Sequence, residues 1–436
     1  MYASFVRFKK NIFLCYLRHI IYSLMGDLKQ HNENDMTPDW QKIKSLFNYD
    51  RSHLQLGSTQ FIVSHPQHVR ESIEQFRKQI DENPVLYTEE KEMKMMQRVR
   101  EIAAKYLAVT DPNDIAMTDS TTMGLGVIYN GLNIKKGQEI LTTNHDHYSQ
   151  HESIYHALNR SGGSCRKIDL YESPERTSKE EMVNSILNNI RENTRVLGIT
   201  WVHSGTGVKV PVPEISKAVA EINKNRPDED KVLVLVDGIH GFGIEMETFD
   251  ELGCDFFITS CHKWTYGPRG TGMVAAKRSA WQAVTPVIPS YTDTMNDVID
   301  EGKRPDHMDG LQMTPGGFHS LEYRWALYDA FKWVLEVGKQ NIYDRVHYLN
   351  RICKEGLSKM PHVKLHTPMS DDLSAGIIAF EVEGYSTEEV VEALLKKKII
   401  ATAAPYRVSY ARYTPGIIND EEEIAKGLEA VQSLKK

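Results

Sequence analysis

The sequence predicts an α/β fold: a mostly parallel central sheet with helices on both faces, followed by a smaller C-terminal α+β domain. Three observations predict it. From Ile115 onward, six short apolar runs alternate with helical stretches, the pattern of βαβ units. One run, KVLVLVDG, carries consecutive apolar residues from Val232 to Val236, as expected of a central strand buried on both faces. After Gly317 the pattern changes to two long helices and then to a compact mixture of strands and helices.

Taken in order, Thr37 to Asn48 reads as a short amphipathic helix with Pro38 near its start. HLQLGSTQF (53–61) reads as an extended segment turning at Gly57. Val69, Ile73, Phe76 and Ile80 recur at helical spacing until the Asn83-Pro84 break, and a second helix follows over Glu92 to Leu107. The expected strands are IAMTDS, EILTTN, SCRKIDLY, TRVLGITWV, KVLVLVDG and CDFFITS. Helices are expected between them at Thr122–Gly131, Gln150–Arg160, Lys179–Asn193 and Val212–Asn223. Long helices over Ser320–Val337 and Tyr343–Leu357 come next. The tail reads as strands near Val363, Ala375–Val382, Ile399 and Val408. A helix from Thr387 is boxed by Ser386 and Glu389, and a last helix is capped by Asn419 with Glu422. The expected organisation is an N-terminal extension (1–36), a segment packing on the small domain (37–80), a large domain (81–325) and the small domain (326–436).

Composition excludes several function classes. With 436 residues, 41% apolar and 25% charged, the chain is an ordinary globular protein of more than one domain. A net charge of -7 without a long basic run argues against a general nucleic-acid surface. Five cysteines form no CxxC pair, which suggests neither a zinc site nor a disulfide framework and points to a reducing, cytoplasmic setting. Residues 1–25 are basic and apolar, but Arg7, Lys9, Lys10, Arg18 and His19 interrupt every run. No segment there approaches the ~20 residues that span a bilayer. It reads as an upstream extension, with Met25 as the true start, or as a disordered tail.

In an open parallel sheet, ligands sit beyond the carboxyl ends of the strands. The residues expected there are Asp119 to Thr122, His145-Asp146-His147, Trp201 to Ser204, Asp237 to His240, and Ser260 to Lys263. Together they supply an acid, imidazoles, hydroxyls and one lysine. Ser120-Thr121-Thr122 opens a helix, so it is either an anion pocket suited to a phosphate or an ordinary cap. Asp237 ends the most apolar strand and needs a cation or donor, unless it merely caps the turn at Gly238. HDHYSQHESIYH contains histidines but not the HExxH spacing, so no metal is expected.

The pattern Ser-x-His-Lys after a strand, Asp-Gly-x-His ahead of it and Ser-Thr-Thr at a helix start resembles the class V aminotransferase family, fold-type I enzymes dependent on pyridoxal 5'-phosphate (PLP). The resemblance runs from about His53 to the C-terminus. It implies that Lys263 holds the cofactor as a Schiff base, Asp237 pairs with the pyridine nitrogen, and His240 sits near the phenolic oxygen. It places His147 on the ring face and Thr121, Thr122, Ser260 and His262 on the phosphate. Thr314 would reach the phosphate of a partner subunit, which implies a homodimer, and Arg412 would take the substrate carboxylate. The family often has Asn near His203, whose assigned place in the cofactor site is therefore a departure. Cysteine desulfurases of this family carry a nucleophilic Cys ahead of the carboxylate arginine. IIATAAPYRVS has none, so sulfur transfer through a persulfide is disfavoured. HLQLGS, WVHSGTG and HDHYS resemble the isopenicillin N epimerase-like branch, which includes C–S lyases. The implied function is chemistry on an α-amino acid through an aldimine and an α-carbanion, ending in C–S lysis or epimerisation. Transamination is the alternative, and a non-catalytic binding protein of the same fold the rival from another class.

Overall fold

The computed structural model describes residues 38–292 and 294–435, so the extension expected over 1–36 lies outside the described residues. The first strand, β1 (Leu54–Gln55), precedes the main sheet. That sheet contains β2 (Ile115–Thr118), β3 (Glu139–Thr143), β4 (Ser164–Ile168), β5 (Thr194–Thr200), β6 (Leu233–Asp237), β7 (Phe256–Ser260) and β8 (Gly272–Ala276). Their spatial order is β2-β8-β7-β6-β5-β3-β4. β3 to β7 run parallel, and β8 alone is antiparallel, wedged between β7 and β2.

All six expected strands are present, and the centre of the sheet is buried as their apolar runs require: β7 and β8 are buried at every position. β4 closes one edge, with Cys165 and Lys167 exposed and Arg166 half-buried; charge on an edge strand discourages pairing with another chain. β8 was not expected. GMVAA is short, and it is a strand because two distant neighbours pair with it.

Helix ends follow local chemistry. The helix Pro84–Leu107 starts earlier than expected, since a proline in the first turn needs no N–H partner. Lys179–Leu187 stops before Asn193, where Asn189 donates to the Ser185 carbonyl. The helix Thr121–Gly131 lies low on the sheet because its glycine permits it. A Cβ on Gly124 would stand 2.7 Å from Ile258 Cγ2. That approach brings the first turn of the helix to the end of β7.

The C-terminal part contains β9 (Val363–Leu365), β10 (Ile378–Val382), β11 (Ile399–Ile400), β12 (Thr402–Ala403) and β13 (Ala411–Tyr413). β12-β13-β10-β9 form an antiparallel sheet, while β11 pairs in parallel with β1. Leu56, Leu357, Phe380, Tyr413 and Val431 share the core behind them. β1 joins this part through β11, and the helix Gln67–Glu82 packs on the long helix Leu321–Val337. Trp40–Lys436 forms one compact unit.

Two local expectations are corrected. Val408 is in no strand; it is exposed in the loop between β12 and β13. The last helix, Glu421–Gln432, is boxed by Asp420 and Glu423, one residue later than expected. Asn419 is buried instead and donates to the Gln55 carbonyl at 3.0 Å, tying β1 down. The box at Ser386 and Glu389 is formed as expected. No helix among the described residues is long and apolar enough to cross a membrane.

Candidate active site

The carboxyl ends of β3, β5, β6 and β7 and the helix after β2 face a cavity of about 300 Å³. Thr121, Thr122, His147, Asp237, His240, Ser260, His262, Lys263 and Arg412 all line it. Residues as far apart in the chain as Gln60 and Arg412 are thus brought together.

Asp237, at the last position of β6, is 2% exposed. Among the described residues its Oδ1 accepts only the Ile239 N–H, at 3.1 Å. Burial pushes its carboxyl up to about 6, against that hydrogen bond and the nearby Lys263 charge. The glycine-bearing turn that follows is held against the loop after β7. A Cβ at Gly243, which has φ +100°, would come within 2.7 Å of the Trp264 backbone. This contact sets His240 beside Lys263, with Nε2 and Nζ 3.2 Å apart. Burial, opposed by the Asp237 charge and aided by Arg412, lowers the Lys263 ammonium to about 8. A lysine in that range exchanges its proton near neutral pH. Burial and the Lys263 charge hold His240 well below its ordinary value, so it is a neutral imidazole.

After β3, His147 caps the helix Tyr148–Ser161, its Nδ1 accepting the Ser149 N–H at 3.2 Å. Burial and the Lys263 charge lower it as well. With Nδ1 used as an acceptor from the backbone, Nε2 carries the proton of the neutral ring. Ser260 Oγ accepts the Thr121 N–H at 2.5 Å and lies 2.8 Å from the Thr121 hydroxyl. Ser120 caps the same helix through the Met123 N–H at 3.1 Å. The hydroxyls and positive end of a helix start attract an anion, here with the Thr121 and Met123 N–H groups already engaged by Ser260 and Ser120. His262 is lowered to about 4 by burial, then by Lys263 and Arg269.

Arg412, in β13, is 4% exposed and pairs with no carboxylate among the described residues. Nη1 donates to the Ser204 carbonyl (2.6 Å) and Nη2 to the Ala403 carbonyl (2.9 Å). Nε of Arg412 and Nδ1 of His240 are buried without a partner. A buried guanidinium left without a counter-charge is suited to an anionic ligand.

Two expected site residues stand elsewhere. His203 points to a neighbouring cleft, where its Nδ1 meets the Tyr171 hydroxyl at 3.0 Å; its neighbour Ser204 lines the cavity instead. The Thr314 hydroxyl donates to the Gly310 carbonyl (2.8 Å) and accepts the Met117 N–H (3.1 Å). The sequence reading missed Ser204, Thr200, Ser149, Gln60 and Phe61 as lining residues. Ser204 was within the strand-end inventory, and only the phase of the turn after β5 separates it from His203. No group of three or more His, Cys, Asp or Glu that could hold a metal is found among the described residues.

The family model for aminotransferase class-V matches residues 63–409. The chain belongs to the class-V aminotransferase family. Cysteine desulfurases of Salmonella agona and Salmonella choleraesuis are each 24% identical over 302 residues, 68% of this chain and 69% of theirs. Among solved structures, C-DES with glycine covalently linked to its PLP cofactor matches with a TM-score of 0.79 at 21% identity. The match covers 91% of this chain and 99% of C-DES. The cysteine desulfurase of Thermococcus onnurineus NA1 matches with a TM-score of 0.75 at 17% identity, over 90% and 97%. The fold is therefore fold type I, and the chain is a PLP-dependent enzyme.

The residues present fit the cofactor. An under-partnered buried carboxylate suits a protonated ring nitrogen, Lys263 suits the aldehyde, and the Thr121 helix start suits the phosphate.

Proposed function

We propose that this enzyme acts on an α-amino acid as a C–S lyase that stores no sulfur on a cysteine of its own. The observation that carries the reading is a cavity holding Lys263, Asp237 and Arg412 without a cysteine among its lining residues. Arg412 would take the substrate carboxylate, fixing the α-carbon near Lys263. The Lys263 amine would remove the α-proton and hand it on, with His240 as its nearest hydrogen-bond partner. Bound with its ring nitrogen at Asp237, the cofactor would draw off the electron pair left at the α-carbon, so that a sulfur on the β-carbon can leave.

The curated relatives are cysteine desulfurases, the activity that the sequence reading disfavoured. Four cysteines of this chain speak for that reading still. Cys254, Cys261 and Cys353 are buried, and burial pushes each thiol up, away from the thiolate that attacks sulfur. Cys165 is exposed on the edge strand β4, outside the cavity. C-DES, whose solved complex is described as a cystine C–S lyase with its product cysteine persulfide, shares the fold (TM-score 0.78, 20% identity).

A second reading, epimerisation as in the isopenicillin N epimerase-like branch, is favoured by His147. It reaches the same cavity from the end of β3, while Lys263 comes from β7, so two bases approach from different strand ends. Incubating the PLP-loaded enzyme with S-substituted L-cysteines separates these outcomes. The lyase reading expects pyruvate, ammonia and free thiol or sulfide in equal amounts. Racemised amino acid without pyruvate supports the second reading, and a persulfide on the protein contradicts the first.

A further inference from the structure

His145 and His203, singled out at strand ends, take no part in the cavity just described. They meet in a second cleft of about 310 Å³ beyond the carboxyl ends of β3, β4 and β5. Chain alternation divides each strand end between the two spaces. His147 and Ser204 face the cavity, while His145 and His203 face the cleft. One side chain, Tyr406, stands at the partition. Its hydroxyl lies 2.5 Å from Ser204 Oγ, its ring is edge-on to His147 at 6.2 Å, and it also lines the cleft. It packs over Gly205, where a Cβ would stand 3.2 Å from the ring. The backbone carbonyl of the same Ser204 holds Arg412.

The cleft is walled by rings. His145 stacks on Tyr171 with centroids 4.1 Å apart and planes 17° apart, and Tyr410 stacks on His366 at 3.9 Å. His145 Nε2 accepts the Leu170 N–H at 3.2 Å, and burial keeps its imidazole neutral, so the rings offer flat uncharged faces beside the exposed Glu172 and Arg407 that also line the cleft. Such faces favour offset or edge-on contact with another planar group. Resting on the proposed function, we infer that this cleft is the side-chain subsite of the amino-acid substrate. It takes a long side chain ending in an aromatic or heteroaromatic ring, with Tyr406 as the latch that swings from Ser204 to admit it.

The test is equilibrium binding, followed by the change in the cofactor's visible absorption, using PLP-loaded enzyme with S-benzyl-L-cysteine and S-methyl-L-cysteine. Wild type should bind the benzyl compound at least tenfold more tightly. The half-buried variants Tyr410→Leu and His145→Leu should each lower that ratio at least fivefold, with an unchanged absorption band before ligand as the check on folding. Tyr406→Phe, which lacks the latch hydroxyl, should speed the approach to equilibrium for the benzyl compound alone. Equal affinity for the two compounds, or a preference that survives both leucine variants, overturns the subsite while leaving the amino-acid reading standing. Absence of any spectral response to either compound overturns both.

Discussion

Asp237 and Glu245 are buried carboxylates on one connection after β6, at 2% and 3% exposure, and they differ in company. Glu245 accepts from Lys209 Nζ at 2.6 Å and from His347 Nε2 at 2.9 Å. Burial raises its carboxyl, but the His347 hydrogen bond and the Lys209 charge together bring it below the ordinary value. Asp237 has one backbone N–H and rises to about 6. A carboxylate buried for structure is supplied with partners by the chain itself. Asp237 is short of such partners, as its proposed pairing with the cofactor's ring nitrogen requires. Arg412, buried without a counter-charge among the described residues, follows the Asp237 pattern, as its proposed grip on a substrate carboxylate requires.

This contrast is open to breakage by mutation. Glu245→Ala takes the Nε2 partner from buried His347 and one of two carboxylates from Lys209, which keeps Glu247 at 2.7 Å. It should cost about 3 kcal/mol of stability, the low end of the loss when one partner of a buried pair is removed, read by denaturant unfolding. A loss below 1 kcal/mol would place Glu245 among mere surface pairs. Asp237→Asn should do the reverse in the cofactor-free protein. Its folded carboxyl titrates near 6, above the ordinary 3.8, so the favourable protonated form is complete below pH 4 and is lost as pH rises through 6. Above pH 7 the variant should therefore be more stable than wild type, by up to about 3 kcal/mol at 1.36 kcal/mol per tenfold. The gain should vanish near pH 4, while turnover falls about a hundredfold or more, ~2.7 kcal/mol in the barrier. Equal stability of the two proteins at pH 7 would mean that Asp237 is already paired.

Arg412→Lys keeps the charge but loses the fork. It should raise KM for the amino acid roughly 10- to 100-fold, matching the ~1.5–3 kcal/mol of a charge-assisted hydrogen bond. The smallest effect is the pH profile of reconstitution. Lys263 is lowered to about 8, so the rate of PLP uptake by the cofactor-free protein should rise with pH and level off above about 8. An inflection near 10.5 would show a lysine in free solution.

Much of this was legible in the sequence because strand ends carry the chemistry. The apolar runs located β2 to β7, and the polar residues after them named most of the cavity wall. What was not legible needed partners distant in the chain. β8 is a strand only because β2 and β7 flank it. His203 and Ser204 are neighbours in sequence yet face different spaces, and only the course of the turn after β5 settles which faces which. A strand near Val408 failed for a similar reason: the loop there closes over Ser204 through Tyr406, leaving Val408 exposed.

The central claim, that Lys263 is the residue joined to the cofactor, is tested most directly by borohydride reduction of the PLP-loaded enzyme followed by peptide mapping. The account predicts one pyridoxyl group, on the peptide carrying ITSCHKW, and loss of both label and visible absorption in Lys263→Ala. A label on another lysine, or a Lys263→Ala protein that still traps the cofactor, would contradict it.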